Sequence, residues 1–412
     1  MTPQNKAAAG PLQGLKVIEM AGLAPGPFAA MMLADMGAQV LRIDRPDPAP
    51  RAMPQRFYFT DRNRRSIAVD LKSADGVALV KRLLGESDAL IEGFRPGVME
   101  RLGLGPEVCL ALNPKLVYGR MTGWGQDGPM AMAPGHDINY IALSGALEAI
   151  GEAGRPPVLP LNLVGDFGGG GMYLAFGIAC ALIEAARSGQ GQVVDAAMVD
   201  GAASLMTYFH GYRAGGKWAG RGGSVTGGSS PFYAVYETKD GKYITIGSAE
   251  PKFYADLLRQ TGLDQAGLPD RADPANWPVI RERLEAVFRS RTRDEWCAQL
   301  ETSETCFAPV LDMAEAATHP HNAARGTFMA TDDPDTIILR LTDGVLVQRS
   351  AKLASPRILS FSGHDLPIAL PKIAAEFKDV PLEDLSWVLN GYAIAYAALL
   401  VFFGRLAEGY RR

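Results

Sequence analysis

The feature that most constrains the fold is a repeated alternation of short apolar runs with helically spaced segments in the N-terminal half. LKVIEMA (15–21) and QVLRIDRP (39–46) have the composition of buried strands, and FAAMMLADMGA (28–38) between them has apolar residues at helical spacing. The alternation recurs in SIAVDL, ADGVALVKRLLGES and ALIEGF, and LVYGRMTGWG adds a further strand. Strands that alternate with helices of about 10 to 15 residues predict βαβ units, a parallel sheet and the α/β fold class.

Breaker-rich loops follow these predicted strands: GLAPGP, DRPDP, EGFRPG and MTGWGQDGP. Ligands of open parallel sheets bind beyond the carboxyl ends of the strands, so we expect the site among these loops. Several cations cluster near the predicted strand ends, where guanidinium groups either form a solvated face or recognise phosphate. They are Arg42, Arg45, Arg62, Arg64, Arg65 and Lys72.

The pattern of apolar residues and glycines changes in the second half of the chain. A long helical pattern covers 172–190, and GQGQVVDAAMVDGAASLMTYF predicts a strand and another helix. Glycine density then peaks at 211–230, which is typical of a linker or a mobile functional segment. PFYAVYETKDGKYITIGS alternates with period two around Asp240-Gly241 and predicts a hairpin that opens a smaller α+β region.

Composition excludes some classes of function. The net charge of −4 gives no basic surplus, so we expect no nucleic-acid partner. The four scattered cysteines have no CxxC spacing and the N-terminus lacks the apolar core of a signal peptide, so we expect reduced thiols and a cytoplasmic location. His319 and His321 flank a proline without a third ligand nearby, and no metal site is expected.

Three residues could carry acid/base chemistry. His136 begins an apolar run after a loop, where a histidine is a helix cap, a filled core position or a base. Asp166 lies in GDFGGGG before a long helix, where it either caps the helix or faces a ligand that the glycines let approach. Glu250 ends a predicted strand and is, taken alone, a surface carboxylate.

Several motifs, taken together and in order, resemble the α-methylacyl-CoA racemases, a branch of the family III CoA-transferases. They are LQGLKVIEMAGLAPGPFAAMMLADMGAQVLRIDRP, RRSIAVDLK, EGFRPGVMERLGLGP, GHDINY, LNLVGDFGGG, GQGQVVDAAMVDG, EPKFY and THPHNAARGTF, spanning about residues 12–328. The resemblance implies a Rossmann-like large domain, a small α+β domain and an interlocked homodimer. It divides the chain into a large CoA-binding domain (1–210), the glycine-rich linker (211–230), the small domain (231–317) and a return segment (318–365).

The resemblance also implies roles. His136 and Asp166 match the acid/base pair that moves a proton at C2 of a 2-methylacyl-CoA thioester, and Glu250 matches a glutamate that supports the histidine from the partner chain. CoA is part of the substrate, the reaction belongs to lipid and fatty-acid metabolism, and no separate cofactor is implied. Contacts to CoA are expected at Arg45, Val69, Asp70, Leu71, Lys72, Gly93, Phe94, Arg95, Arg101, Gly135, Asp137, Ile138, Asn139 and Tyr140.

Two alternatives stay open. A family III CoA-transferase would use the aspartate at 166 as a nucleophile and usually has an aromatic residue in place of His136, whereas an inactive interaction protein would only keep the fold. The second alternative arises from the apolar tail at 366–412, which resembles a fragment of a major facilitator superfamily transporter. Its uncharged stretch at 387–403 predicts burial or membrane contact.

Overall fold

A computed structural model describes residues 10–47, 54, 57–330 and 337–339. The predicted tail at 366–412, its membrane-contact stretch at 387–403 and most of the predicted return segment at 318–365 lie outside these described residues.

The main sheet has six parallel strands, which confirms the predicted α/β class. The strands are β1 (Lys16–Met20), β2 (Gln39–Asp44), β3 (Arg64–Ala68), β4 (Ala89–Glu92), β5 (Val117–Thr122) and β6 (Val193–Ala197). Their order is β3-β2-β1-β4-β5-β6, with every neighbouring pair parallel. The order reverses between β1 and β4, and a ligand crevice forms beyond the carboxyl ends at such a switch point.

Helices cover both faces of this sheet. The helices of this part of the chain are α1 (Pro25–Asp35), α2 (Ala74–Gly85), α3 (Val98–Arg101), α4 (Pro106–Leu112), α5 (Asp137–Leu143), α6 (Ala146–Ala149), α7 (Met172–Ser188), α8 (Met198–Leu205) and α9 (Thr207–Ala214). Consecutive strand residues point to opposite faces, so Val17 packs with α1 and α7 whereas Ile18 packs with α2 and α4. The sheet is therefore the middle of three layers.

The helix before β6 has an unusual beginning. Residues Leu163–Gly171 are wound as a π-helix that continues directly into α7, and the Phe167 N–H donates to the Asn162 carbonyl oxygen at 3.3 Å. The combined helix Leu163–Ser188 is, by length and composition, apolar enough to cross a membrane. Leu174, Ile178 and Ala181 on α7 pack in the core beside the sheet, which accounts for part of that apolar character.

A second sheet is antiparallel and follows the glycine-rich segment. Its strands β7 (Tyr233–Glu237), β8 (Tyr243–Gly247) and β9 (Phe307–Pro309) lie in the order β7-β8-β9. The β7–β8 pairing confirms the hairpin predicted around Asp240-Gly241. The helices that accompany it are α10 (Pro251–Thr261), α11 (Trp277–Phe288) and α12 (Arg293–Leu300), followed by α13 (Met313–Thr318), α14 (Pro320–Arg325) and a last antiparallel pair, β10 (Phe328–Ala330) with β11 (Ile337–Leu339).

The glycine-rich segment is attached to the protein at Arg221. Its guanidinium donates to the Glu148 carboxylate at 2.6 Å and to the Arg155 carbonyl oxygen at 2.6 Å. Helix α9 also runs on to Ala214, past the predicted end of the large domain at residue 210. The predicted domain boundaries themselves stay a prediction.

Candidate active site

His136 caps the first turn of α5 with its backbone. The Asn139 side-chain oxygen accepts from the His136 N–H at 3.0 Å, and the His136 carbonyl oxygen accepts from the Asn139 N–H at 2.8 Å. Among the described residues, no cap hydrogen bond joins the imidazole to the helix, and the residue is exposed. A backbone cap with an exposed side chain leaves the imidazole available for proton transfer.

Asp166 lies inside the π-helical segment rather than at its N-cap, which is Asn162. Interpreting it as a helix cap is therefore wrong. The Asn162 amide donates to the Asp166 carboxylate at 3.0 Å and fixes its orientation. Asn162 and Asp166 are four residues apart, a spacing at which side chains on a helical segment meet.

Asp137 connects the two elements. This residue follows His136, is buried, and its Oδ1 accepts a hydrogen bond from the Asp166 N–H at 2.7 Å. The approach of Asp137 to the Asp166 backbone requires a glycine at position 165, since a Cβ on Gly165 would lie 2.3 Å from the Asp137 Oδ1 atom. The structure thus brings the predicted pair His136 and Asp166 together on neighbouring elements.

The electrostatics of this centre favour a carboxyl group that can hold a proton. Burial raises the pKa of Asp166, hydrogen bonding from Asn162 lowers it, the Asp137 charge raises it and the His136 charge lowers it, with a net rise. A carboxyl with a raised pKa exchanges protons nearer to neutral pH. Burial also raises the pKa of Tyr140. The Asp166 charge adds to this rise, and the Arg95 charge opposes it.

Tyr140 holds α5 against the loop that follows β5. Its ring meets Trp124 edge to face at a centroid distance of 4.7 Å. A Cβ on Gly123 would lie 2.0 Å from the Tyr140 ring, so the glycine after β5 is what admits the ring. This packing positions the start of α5, and with it His136, above the carboxyl edge of the sheet.

The other predicted CoA contacts follow the carboxyl ends of β2, β3 and β4 or lie at the start of α5. Arg45 follows β2 and is exposed, and Gly93, Phe94 and Arg95 follow β4 at the switch point. Val69 is buried, Asp70 accepts from the Lys72 N–H at 2.9 Å, and Ile138 and Asn139 are exposed on α5 while Gly135 is half-buried. No ligand contact tests these assignments, which stay predictions.

Three of the predicted contacts line one cavity of about 560 Å³: Leu71, Lys72 and Arg101. Lys81 on α2 lines the same cavity and was not predicted. Its position on a helix face, away from any strand end, gave no signal in the sequence. Three cations around one cavity suit an anionic ligand. A larger cavity of about 970 Å³ lies at the opposite, amino-terminal edge of the sheet and includes neither His136 nor Asp166.

An ion network around the buried side chains of Arg120 and Glu92 organises the loop after β4, and the sequence did not predict it. Arg120 on β5 bonds Glu92 at 2.9 Å and Glu100 at 2.9 Å. Glu92 in turn accepts from the Phe94 N–H at 2.8 Å. Burial raises the pKa of Glu92, and Arg120 opposes that rise. The network therefore ties the predicted CoA loop to two adjacent strands.

The predicted arginine cluster needs a correction. Arg42, Arg62 and Arg64 form neither a solvated face nor a phosphate site, because each is paired with carboxylates. Arg42 bonds Asp44 and Asp61 at 3.0 and 2.8 Å, and Arg62 bonds Asp35 at 2.5 Å. The Arg64 side chain is 2% exposed and pairs with Glu19, whose side chain is 0% exposed on β1. Arg45, Arg65 and Lys72 are the exposed members of the cluster.

Glu250 lies apart from this centre. It is the exposed N-cap of α10. Burial raises the pKa of the Cys306 thiol, and the charge of Glu250 adds to that rise. No hydrogen bond or ion pair joins Glu250 to His136 within the part of the chain that the structure describes. His319 bonds Glu301 at 2.7 Å, and no group of three or more metal-ligating side chains occurs among the described residues.

Comparison with known proteins defines the class. The sequence profile of CoA-transferase family III matches residues 12–352, and the chain belongs to that family. Alpha-methylacyl-CoA racemase of Mus musculus is 45% identical over 319 residues, 77% of this chain and 82% of the relative. The racemase of Homo sapiens is 44% identical over 325 residues, 79% of this chain and 84% of the relative. These similarities confirm the resemblance that the motifs predicted.

A solved structure agrees on the fold. The crystal structure of a CAIB/BAIF family protein from Brucella suis superposes with a TM-score of 0.71 at 27% identity, covering 86% of this chain and 95% of that chain.

Proposed function

We propose that this protein interconverts the two C2 epimers of a 2-methylacyl-CoA thioester by proton transfer between substrate, His136 and Asp166. The observation that carries the proposal is the hydrogen bond at 2.7 Å between Asp137, the neighbour of His136, and the Asp166 N–H. It brings an exposed imidazole and a half-buried carboxyl to one place. The identity of 45% to a racemase supports the same activity.

The chemistry needs one acid/base group on each side of a single carbon. In one direction the imidazole of His136 removes the C2 proton, the C–H pair delocalises into the thioester as an enolate, and the Asp166 carboxylic acid returns a proton to the opposite face. The reverse direction exchanges the roles, so the working state of the pair carries one proton. The raised pKa of Asp166 supports this role, because a carboxylic acid must be present for half of the turnovers.

The CoA portion of the substrate would extend over the carboxyl edge of the sheet. The strand order β3-β2-β1-β4-β5-β6 supports a Rossmann-like architecture, in which the switch point receives the ligand. The cavity with Lys72, Lys81 and Arg101 supports binding of an anionic group. The proposed reaction uses no separate cofactor, since the thioester itself acidifies the C2 proton.

The proposal includes a homodimer of interlocked chains in the cytoplasm. Helix α7 carries an exposed apolar stripe of Met172, Phe176 and Ile183, and the last two are 70% and 71% exposed. These residues lie on one helix face, and a contiguous apolar stripe on a surface supports a protein partner. In the dimer Glu250 would come from the partner chain, which agrees with its exposure and its separation from His136.

The proposed reaction is tested by incubating a 2-methylacyl-CoA in D₂O without any acceptor acid. The wild-type protein should place deuterium at C2, measured by mass spectrometry, and should scramble the configuration of a single epimer. His136→Ala and Asp166→Ala should each lose the exchange. His321→Ala and Asp264→Ala, which remove an exposed imidazole and an exposed carboxylate elsewhere, should keep it.

Failure of the wild-type protein to incorporate deuterium would overturn the proposal. If CoA then moves to an added carboxylic acid, Asp166 is instead the nucleophile of a CoA-transferase. The dimer is tested separately by sedimentation of the wild-type protein and of Phe176→Asp. A charged side chain in a buried apolar interface should dissociate it, and an unchanged mass would contradict the proposed interface.

A further inference from the structure

The π-helical segment begins with backbone donors that no preceding turn can satisfy. The first N–H groups of a helix lack an intrahelical acceptor, and Asp166 is the fourth residue of Leu163–Gly171. Its N–H is satisfied from another element, by Oδ1 of Asp137 at 2.7 Å. Asp137 therefore acts as a cap that is supplied by α5 rather than by the residues that precede the segment.

The fit between cap and helix is specific. Asp137 is 8% exposed, so its carboxylate faces the protein interior. A Cβ at Gly165 would lie 2.8 Å from the Asp137 Cγ and 3.1 Å from the Ile141 Cγ2 atom. A carboxylate at the beginning of a helix is also favoured by the helix dipole. The contact is thus determined by charge, by a hydrogen bond and by the missing side chain at position 165.

We propose that Asp137 is a positioning residue, which sets the separation of His136 and Asp166 by joining the first turn of α5 to the turn that carries Asp166. The inference rests on the proposed function. Asp137 follows His136 in the chain and holds the backbone of Asp166, so one side chain couples the positions of both proton-transfer groups. Its buried carboxylate would act through His136 and Asp166 and not on the reacting atoms.

The same carboxylate also acts on Asp166 through its charge. The charged groups that act on Asp166 are Asp137 and His136, and Asn162 on its own segment donates a hydrogen bond. Tyr140 on α5 also faces Asp166, whose charge helps to raise the Tyr140 pKa. The Asp137 charge raises the pKa of Asp166. The other elements packed against the segment carry charged groups that do not contribute to this shift. These are Asp35, Arg120, Glu184, Arg187, Asp195 and Asp200.

The first test reads the cap directly and needs no catalysis. Hydrogen–deuterium exchange at the Asp166 amide is compared in the full-length wild-type protein, Asp137→Asn and Asp137→Ala. Asparagine keeps an oxygen acceptor and should keep protection near the wild-type level. Alanine removes the acceptor and should speed exchange by about tenfold or more. Glu107→Gln, which changes an exposed first-turn carboxylate of α4, should change nothing.

The second test separates positioning from general stability. In the C2 deuteration assay, Asp137→Ala should lower kcat by roughly 100-fold with a smaller change in KM, because misplacement of a catalytic group acts on the chemical step. Asp137→Asn should recover much of that loss. The acid limb of the kcat/KM profile of Asp137→Asn should lie at lower pH than that of the wild type. Without its negatively charged neighbour, Asp166 stays ionised to lower pH.

The two tests fail in distinguishable ways. If the wild-type protein does not deuterate C2, the proposed function is overturned, and the amide-exchange comparison still decides whether Asp137 caps the segment. Unchanged amide protection in Asp137→Ala, or an acid limb of Asp137→Asn that coincides with the wild type, would overturn the role of Asp137. If Asp137→Ala does not fold, the pH profile of Asp137→Asn decides the question alone.

Discussion

At Gly165, the addition of a single methyl group should markedly lower the stability of the protein. Gly165→Ala adds one methyl group, which would lie 2.3 Å from the Asp137 Oδ1 atom and 2.8 Å from its Cγ atom. Such separations cannot persist, so the carboxylate must move away. Its movement breaks the hydrogen bond at 2.7 Å to the Asp166 N–H.

The cost follows from these contacts. Overpacking of a filled interior costs about 1–3 kcal/mol. Leaving a buried donor without its acceptor costs about 1–3 kcal/mol more. Alanine is favoured over glycine in a helix by roughly 0.5–1 kcal/mol, which offsets part of this. We expect Gly165→Ala to lower the free energy of unfolding by roughly 1–5 kcal/mol.

Urea denaturation followed by circular dichroism measures this difference. Gly85→Ala is the matched control, because Gly85 is also helical and its Cβ would meet nothing within 4 Å. It should stabilise the protein by up to about 1 kcal/mol. The double variant Gly165→Ala with Asp137→Ala should be less destabilised than the two single effects added together, by about 0.5–3 kcal/mol.

Unfolding of Gly165→Ala at the same urea concentration as Gly85→Ala would contradict the contact between Gly165 and Asp137. Strict additivity in the double variant would also refute it, since the two side chains would then not meet.

Three further predictions concern ion pairs. Arg64→Met should destabilise the protein by about 3–5 kcal/mol in urea unfolding, because it leaves the buried Glu19 carboxylate without its partner, and a wild-type midpoint would contradict the pairing. Hydrogen bonds from Arg293 hold the pKa of Glu315 well below its usual range. The charged Glu315 carboxylate therefore stabilises the folded protein above about pH 4.3, and this stabilisation is lost as the pH falls. Between about pH 5 and pH 2, the urea midpoint of Glu315→Gln should fall less than that of the wild type. Equal falls of the two midpoints over this range would contradict the prediction. Arg120→Met should raise KM for acyl-CoA by about tenfold with little change in kcat, since the loop after β4 loses its anchor, and an unchanged KM would contradict the link.

The sequence predicted what local pattern determines. The hairpin around Asp240-Gly241 follows from period two and a turn dipeptide, and the parallel sheet follows from the alternation of strands and helices. His136 and Asp166 were found through the resemblance, while their pairing through Asp137 was not. That contact joins residues far apart in the chain, and no local period encodes it.

The pairing of the arginines and the winding of the glycine run were not predicted for similar physical reasons. Arg62 and Arg64 had the composition of a surface patch, but their partners Asp35 and Glu19 lie in earlier elements. The glycines before α7 predicted a helix cap at Asp166 or close approach of a ligand, whereas their small size lets the chain wind as a π-helix against neighbouring backbone. A Cβ at Gly169 would lie 2.6 Å from the Ala202 N atom, a packing constraint that no propensity scale contains.

The π-helical winding of Leu163–Gly171 has a consequence for how this protein can change over time. Helix α7 is held against the sheet, so deleting a single residue from the glycine run would rotate everything before it by about 100° around the helix axis. The Asp166 carboxyl would then point away from α5, even though every side chain in the site was retained. The length of this run is therefore constrained as well as the identity of its glycines, and a single insertion or deletion here should be tolerated no better than a side chain at Gly169.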